Sequence, residues 1–179
     1  MKVSKVRNVK TPNRGTKTSS GIDFFVPVFD EKFINDVTAK NTELTFFHNS
    51  TTGTKALVIK PQERVLIPSG IHINLSTVEG FPIKGKIGVD FVAHNKSGVG
   101  SKKGLDLLAS VVDLDYQGEI HINVVNTGNE EVIIEENEKL IQFILRPVIY
   151  DDVEEVEFSS LYTETSERGD KGFGQGTGK

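Results

Sequence analysis

The chain has 179 residues, 36% of them hydrophobic, and contains no cysteine. This length suits one domain with a buried core, and the lack of cysteine excludes disulfides, thiolate catalysis and zinc–thiolate sites. The net charge of −4 argues against broad binding to nucleic acid or to an anionic membrane, since both need a basic excess. The start, "MKVSKVRNVK", lacks an apolar run of signal-peptide length, and we expect a soluble, cytoplasmic protein.

The first patterned stretch is "SSGIDFF", in which Asp23 follows Gly21 into a predicted strand. The next, "FDEKFINDVTAKN", has helical spacing. Asp30 is placed to cap a helix whose Phe33, Ile34 and Val37 share one face, so we predict one short surface helix here.

Short β-branched segments separated by glycine, proline or asparagine fill much of the remaining chain. In "EIHINVVN" the apolar residues Ile120, Ile122 and Val124 alternate with polar ones, the period of a half-buried strand. Seven such segments with turn residues between them predict an all-β sandwich or barrel. They are "KALVIKP", "RVLIPSGIHINL", "GKIGVDFVA", "LLASVVD", "EIHINVVN", "EEVIIEEN" and "KLIQFILRPVIY".

The stretch "HNKSGVGSKKG" is glycine-rich and basic. Ser97 and Gly98 offer a hydroxyl and an accessible amide beside Lys96, and such a turn can hold phosphate oxygens. A solvated basic loop is the alternative.

The stretch "VVDLDYQGEI" contains three acids, of which Asp113 and Asp115 flank Leu114. "DYQG" has the composition of a type I turn and predicts a hairpin between the strand that ends at Val112 and the strand from Ile120. Asp113 lies between apolar neighbours, and the resulting partial desolvation would suit it to deprotonate water. Equally, Asp113 and Asp115 are explained as turn formers.

Two features follow near the C-terminus. Gln142 is the polar residue of an apolar strand and needs a hydrogen-bond partner, either in the core or on a ligand. After Tyr150 the chain becomes acidic and then glycine-rich, ending in "ERGDKGFGQGTGK". The tail lacks the G-x-x-x-x-G-K-[ST] spacing of a P-loop, since Phe173 stands five residues before Gly178. A dinucleotide fingerprint needs a helix after its glycines, which this tail does not offer. A frayed terminus is the alternative to a binding role.

Taken in order, "SSGID", "NKSGVGSKKG", "VVDLDYQGEI", "EKLIQF" and "ERGDKGFGQGTG" resemble the five motifs of the homotrimeric dUTPase family. The resemblance implies a jelly-roll β-barrel of the β-clip type at residues 1–150. It implies a C-terminal arm at 151–179 whose flexible glycine-rich tail closes over the nucleotide. It also implies a homotrimer with composite active sites and hydrolysis of dUTP to dUMP and pyrophosphate.

The resemblance assigns each motif residue a role. Asp113 would activate the attacking water, while Tyr116 would pack under the deoxyribose beside a uracil slot at Val112. The phosphates would be bound through the motif residues Lys96, Ser97, Gly98, Gln142 and Arg168. Phe173 would stack on uracil, with Gly174 and Thr177 completing the closed tail. Asp23 is a motif residue with a structural role, and Mg²⁺ is expected to arrive on the triphosphate rather than in a protein cage.

The sequence departs from the family pattern at four places. Ile22 follows Gly21 where an aromatic residue or leucine is commoner. Asn95-Lys96 replaces the usual Pro-Arg, and lysine lacks the planar fork of arginine. The tail reads "GFGQGTG", longer than usual, and residues 30–54 form an insertion. We expect a surface decoration there, with a trimer contact or a protein-partner site as alternatives.

A dUTP-binding regulator and a dCTP deaminase are the two alternative functions. A dUTP-binding sensor or regulatory protein could use the same pocket, although the intact Asp113, Tyr116, Arg168 and Phe173 favour an enzyme. The related dCTP deaminases need an arginine-serine-serine arrangement, which Lys96-Ser97-Gly98 does not match.

Overall fold

The computed structural model describes residues 1–42, 44–80 and 82–171. In this part of the chain, the helices are α1 (Glu31–Lys40), α2 (Ser97–Lys103) and α3 (Phe158–Leu161), and Leu75–Thr77 forms a 3₁₀ turn. The strands are β1 (Lys2–Lys5), β2 (Ile22–Phe25), β3 (Thr45–Asn49), β4 (Thr54–Ile59), β5 (Arg64–Pro68), β6 (Ile71–Asn74), β7 (Ile87–Asn95), β8 (Leu105–Leu107), β9 (Val111–Val112), β10 (His121–Asn126), β11 (Val132–Glu135) and β12 (Lys139–Ile149). The predicted all-β class is confirmed, and two short helices accompany the predicted one.

The long strand β12 organises the largest sheet, whose order is β2-β12-β7-β9. It pairs antiparallel with β7 over Ile141–Ile149 and with β2 near its start. Smaller sheets have the orders β1-β6, β5-β10-β8 and β11-β4-β3. Among the described residues the pairings therefore form separate sheets rather than one continuous ring, an arrangement that fits the predicted β-clip.

One hydrophobic core joins these sheets. The rings of Phe24, Phe91 and Phe143, one from each of β2, β7 and β12, have centroids 4.6 to 5.9 Å apart. Ile122 and Val124 of β10 are buried as their alternation predicts. Burial of each such aliphatic side chain contributes about 1.5–3 kcal/mol to folding.

The hairpin predicted around "DYQG" does not form. The turn closes two residues earlier, because the Tyr116 N–H donates to the Asp113 carbonyl at 3.2 Å. β9 pairs with β7, whereas β10 pairs with β5 and β8, so the flanking strands belong to different sheets. Val112 is buried opposite Phe91, and such tertiary partners outweigh the local preference for a hairpin.

The inserted segment 30–54 contributes to the core and is not only a surface decoration. Asp30 caps α1 by accepting the Phe33 N–H at 2.8 Å, as predicted. Phe33 and Val37 are fully buried, and the Phe33 ring stacks on Phe29 with centroids 4.7 Å apart. The apolar stripe that predicts the helix thus also determines that it packs inward.

The C-terminal arm leaves the body after β12. Residues 151–171 are exposed along their whole length, including the large apolar side chains of Val153, Phe158 and Tyr162. Lys86 contacts Asp151 and Asp152 where the arm begins. No helix in the described ranges has the length and apolar character required to cross a membrane.

We predict that Phe33→Ala lowers the free energy of unfolding by about 3–5 kcal/mol, because it empties a fully buried aromatic site. Urea denaturation followed by circular dichroism measures this. Thr38→Ala, at an exposed position of the same helix, is the control and should change the value by less than about 0.5 kcal/mol. Equal effects of the two substitutions would show that α1 does not belong to the core.

Candidate active site

A cavity of about 250 Å³ opens where the chain passes from β9 to β10. One wall is the segment before the turn, with Ser110, Val112 and Asp113, and the other is the start of β10, with His121 and Asn123. Tyr116 lies at its edge. The cavity exists because β9 and β10 bind different neighbours and leave space between them.

Asp113 stands at the mouth of this cavity and is exposed. Its apolar neighbours therefore do not desolvate it, contrary to the expectation from sequence. The reason is that Val112 turns into the core, so the following side chain faces outward. Within a single chain, the carboxylate is open to solvent and to any molecule in the cavity.

Tyr116 is held in place by its own turn. Its hydroxyl donates to the Glu119 carbonyl at 3.0 Å. The ring crosses Gly118 so closely that a Cβ there would lie 2.3 Å from the hydroxyl oxygen. Only glycine fits at that position, which explains the Tyr-x-Gly spacing of the motif.

His121 and Asn123 also line this cavity, although no motif marks them in the sequence. His121 Nδ1 is 2.9 Å from the Glu119 carbonyl, so Nδ1 carries the proton of the neutral ring. Burial lowers the pKa of His121. In β10, His121 and Asn123 alternate with Ile122. This alternation predicts that both side chains lie on the same face of the strand.

A second cluster forms where β2, β7 and β12 meet. Gln142 lies opposite Asp23 on one side and opposite His94 on the other. The buried Asp23 carboxylate accepts hydrogen bonds from Lys96 and, at 2.9 Å, from Lys139. Burial alone would raise the pKa of Asp23, but these two ammonium groups lower it below its usual value.

Gln142 uses its amide within the protein. Its Nε2 donates to the Asn95 carbonyl at 3.0 Å. A Cβ at Gly21 would lie 2.1 Å from Gln142 Oε1, so the glycine of "SSGID" provides the space for this side chain. Gln142 is partly exposed rather than a core amide, and its contact with a ligand stays a prediction.

The predicted basic loop after β7 is instead the helix α2. Ser97 and Gly98 form its first turn and are exposed, and the first helical bonds run from Val99 and Gly100 to the Lys96 carbonyl. The space beside Gly98 is open to 4 Å. Gly104, at φ 68°, ends the helix in the left-handed conformation that glycine favours.

The two clusters lie apart within one chain. Val112 is opposite Phe91 in β7, whereas Ser97 follows Asn95 at the end of that strand. Four residues of strand separate Phe91 from Asn95, about 13 Å at 3.3 Å per residue. One chain thus presents Asp113 and Tyr116 in one place and Ser97 and Gln142 in another.

The arginine of the tail is at the end of the described chain. Arg168 is exposed, and its Nε donates to the Lys171 carbonyl at 2.9 Å. Phe173, Gly174 and Thr177 lie outside the described residues.

Comparison with known proteins identifies the family. The family model described as dUTPase matches residues 53–177, more than half of the chain. The chain belongs to the dUTPase family. The predicted family is thereby confirmed, and the match covers the cavity, α2, β12 and the tail but begins after Asp23 and most of the inserted segment.

Curated relatives agree with this assignment. The deoxyuridine 5′-triphosphate nucleotidohydrolase of Fusobacterium nucleatum is 35% identical over 127 residues, 70% of this chain and 77% of the relative. The enzyme of the same name from Heliobacterium modesticaldum is 30% identical over 165 residues, 91% of this chain and 86% of the relative. The match to the relative from Aquifex aeolicus, 42% identical, is shorter and spans 57% of that protein.

Solved structures support the fold. The dUTPase of Staphylococcus bacteriophage 80alpha with dUPNHPP superposes with a TM-score of 0.67 at 21% identity, covering 97% of this chain and 96% of that one. The structure of a mutant dUTPase from phage phi11 of S. aureus, which reveals the coordination of a structural Mg(II) ion in that protein, superposes with a TM-score of 0.61 at 20% identity. The match covers 88% of this chain and 97% of that one.

We predict that Asp23→Asn lowers the free energy of unfolding at pH 7 by roughly 2–4 kcal/mol, because Lys96 and Lys139 lose their shared carboxylate. The folded pKa of Asp23 lies below the ordinary value, so its contribution is complete above about pH 4 and is lost as the pH falls further. Urea titrations from pH 7 to pH 3 should show the difference from the native chain narrowing at the acid end.

Asp152→Asn is the matched control, since it removes an exposed acid of the arm. It should have a small effect at every pH. An Asp23→Asn deficit that stays constant down to pH 3 would contradict the ion-pair assignment.

Proposed function

We propose that the protein is a dUTP diphosphatase that hydrolyses dUTP to dUMP and pyrophosphate. The observation that carries this proposal is the cavity beside Tyr116, with the Asp113 carboxylate at its mouth, in a chain of the dUTPase family. The relatives named deoxyuridine 5′-triphosphate nucleotidohydrolase support the same substrate.

Asp113 acts as the general base. Its carboxylate accepts a proton from a water molecule, whose oxygen attacks the α-phosphorus in line with the leaving group. The new bond joins the water oxygen to the α-phosphorus, and the bond to the bridging oxygen of the β-phosphate breaks. Pyrophosphate leaves with that bridging oxygen. An exposed acid at a cavity mouth suits this role, because bound substrate would supply the exclusion of water that the single chain lacks.

Tyr116 selects the sugar. The hydroxyl is tied to Glu119 and the ring lies over Gly118, so the ring has little freedom to yield to a 2′-hydroxyl. Uracil enters between Val112 and His121, which both line the cavity and lie in strands that do not pair with each other. A narrow slot of this kind rejects the thymine methyl group.

The phosphates bind at the second cluster and the tail. Ser97 and Gly98 offer the free amides of the first turn of α2 and open space beside Gly98. Gln142 lies next to them at the α-phosphate. Lys96 adds positive charge while remaining paired with Asp23. When the tail closes over the nucleotide, Arg168 binds the γ-phosphate and Phe173 stacks on uracil. Gly174 and Thr177 complete the closed tail.

Mg²⁺ fits this site as part of the bound nucleotide. The described residues contain no group of three or more histidine or acidic side chains placed to hold a metal ion. Asp23, the acid of the second cluster, already has its two oxygens on lysine ammonium groups. We expect phosphate oxygens and water to be its ligands, and the ion, when bound, would neutralise charge on the phosphates.

A homotrimer brings the separated clusters together. Asp113 must act within a few ångströms of the phosphate held by Ser97, yet the positions of β7 beside these two residues, Phe91 and Asn95, are about 13 Å apart in one chain. Sites composed of Asp113 from one copy and Ser97 from another remove this conflict. The exposed apolar side chains of the arm suit a tail that crosses to a neighbouring copy. We therefore divide the chain into a domain at 1–150, which would carry both clusters, and an arm at 151–179, which would cross to the neighbouring copy.

A second candidate function is a dUTP-dependent regulator that binds a protein partner through residues 30–54. The specific observation in its favour is that α1 contacts the same buried arginine as the turn of Tyr116. One protein can be both an enzyme and a regulator. Measurement of turnover and of binding shows whether the enzyme activity is present.

We predict that the purified protein with Mg²⁺ releases pyrophosphate from dUTP and releases little from dTTP, dCTP or UTP. Asp113→Asn should reduce kcat at least about 10³-fold while dUTP binding, measured by calorimetry, changes little. Binding without turnover by the native chain would favour the regulator. Equal turnover of UTP would contradict the role of Tyr116.

We predict that two inactive variants restore activity together. Asp113→Asn removes the base, and Gly98→Asp places a negative charge in the open space of the phosphate cluster. When equal amounts are unfolded and refolded together, random assembly of a trimer would give about one quarter of the native turnover, since intact sites then combine the two chains. The variants refolded separately and mixed are the control. Lack of recovery after joint refolding would place the whole site within one chain.

A further inference from the structure

A buried arginine connects the inserted helix to the turn of Tyr116. Arg7, whose side chain is 5% exposed, donates through Nε and Nη2 to Glu119 at 2.7 and 3.0 Å. Its Nη2 also donates to Asp36 of α1 at 2.6 Å. The three residues come from three distant parts of the sequence, so the interaction holds the N-terminal segment, α1 and the active-site turn in one arrangement.

Glu119 is fixed on both its side chain and its backbone. The carboxylate accepts the fork of Arg7 and the Gly70 N–H, the latter at 2.7 Å. Burial alone would raise the pKa of Glu119, but these donors lower it. Gly70 adopts φ 76°, and a Cβ there would lie 2.9 Å from Arg7 Cβ, so the backbone is fitted closely around the arginine.

The backbone carbonyl of Glu119 in turn holds the cavity wall. It accepts the Tyr116 hydroxyl at 3.0 Å and faces His121 Nδ1 at 2.9 Å. Any shift of Glu119 therefore moves an acceptor shared by two cavity residues. A continuous set of polar contacts runs from Asp36 through Arg7 and Glu119 to Tyr116.

This geometry is more than a general stabilising cross-link. Breaking one partner of a buried charged network leaves a charge without its counterion, and the remaining groups must move to recover hydrogen bonds. Here a shift of Arg7 would pull on Glu119, to which it is bonded, and the Glu119 carbonyl accepts the Tyr116 hydroxyl. Asp36 is the more exposed member and is the point at which α1 acts on the network.

We propose that Arg7 and Asp36 are positioning residues for Tyr116, through which the inserted helix α1 sets how strictly the site rejects a 2′-hydroxyl. This inference rests on the proposed function, in which the Tyr116 ring excludes ribonucleotides. It assigns the insertion a part in substrate selection that does not require contact with the nucleotide.

The test compares kcat/KM for dUTP and for UTP. Asp36→Asn should lower the dUTP/UTP selectivity ratio by about three- to tenfold and Arg7→Lys by roughly tenfold or more, in line with loss of hydrogen bonds between charged groups. Asp36→Glu, which keeps the charge, should retain most of the ratio. Most of the change should come from a higher rate with UTP, because a loosened ring admits the 2′-hydroxyl.

Two controls separate positioning from stability. Glu31→Gln makes the same acid-to-amide change on an exposed residue of α1, away from Arg7. Ile59→Val truncates a buried side chain of β4 and lowers stability without touching the network. Both should leave the selectivity ratio unchanged. If Asp36→Asn and Arg7→Lys lower the melting temperature but leave the ratio at the native value, the proposal is overturned.

Amide hydrogen exchange provides a readout that does not depend on catalysis. In Asp36→Asn, exchange at residues 113–119 should accelerate by about three- to tenfold relative to the native chain, whereas Glu31→Gln should leave it unchanged. If the native chain does not discriminate dUTP from UTP, only the proposed role of Tyr116 is contradicted. If amide exchange at residues 113–119 is unchanged in Asp36→Asn, the proposed link from α1 to Tyr116 is contradicted.

Discussion

The cavity of this protein depends on two strands that do not pair with each other. Val111–Val112 bonds to β7 of the large sheet, while His121–Asn126 lies between β5 and β8 of another sheet. A hairpin pairing here would fill the space that Asp113 and Tyr116 border. The space survives because both strands have better partners elsewhere, namely a buried contact with Phe91 for one and two strand neighbours for the other.

Buried charges fix the surroundings of this space. Asp23 joins β2 to the end of β7 and the start of β12 through two lysines, and Glu119 joins the turn of Tyr116 to the N-terminal segment through Arg7. Three cations, of which Arg7 is buried, are thus paired with acids of the protein, and the overall charge is negative. In the proposed function, recognition of a triphosphate would depend on backbone amides and a few placed cations rather than on a general basic surface.

Asp113 and the C-terminal arm are both exposed in the single chain, and assembly of the proposed trimer would bury both. A carboxylate open to solvent in one chain can become shielded when substrate, a second copy and the tail surround it. The arm carries apolar side chains that gain from burial against another copy. In the proposed trimer both gains occur together, which couples assembly to the formation of a competent site.

Much of the architecture follows from sequence alone. Alternation in "EIHINVVN" determines a strand with Ile122 and Val124 inward, and Asp30 followed by Phe33 and Val37 determines a capped helix with a buried stripe. The order of five motifs determines the family. These features depend on residues close together in the chain, where spacing translates directly into a face or a cap.

Only the tertiary structure decided how these elements meet. The sequence around "DYQG" favours a hairpin, yet the partners of both strands lie far away in the chain, and local turn residues carry no information about them. Helix α2 forms although Gly98 and Gly100 disfavour helix, because Val99 is buried and Gly104 ends it. The contact of Arg7 with Glu119 spans 112 positions. Such contacts arise when packing brings distant residues together, and no local period or spacing encodes that event.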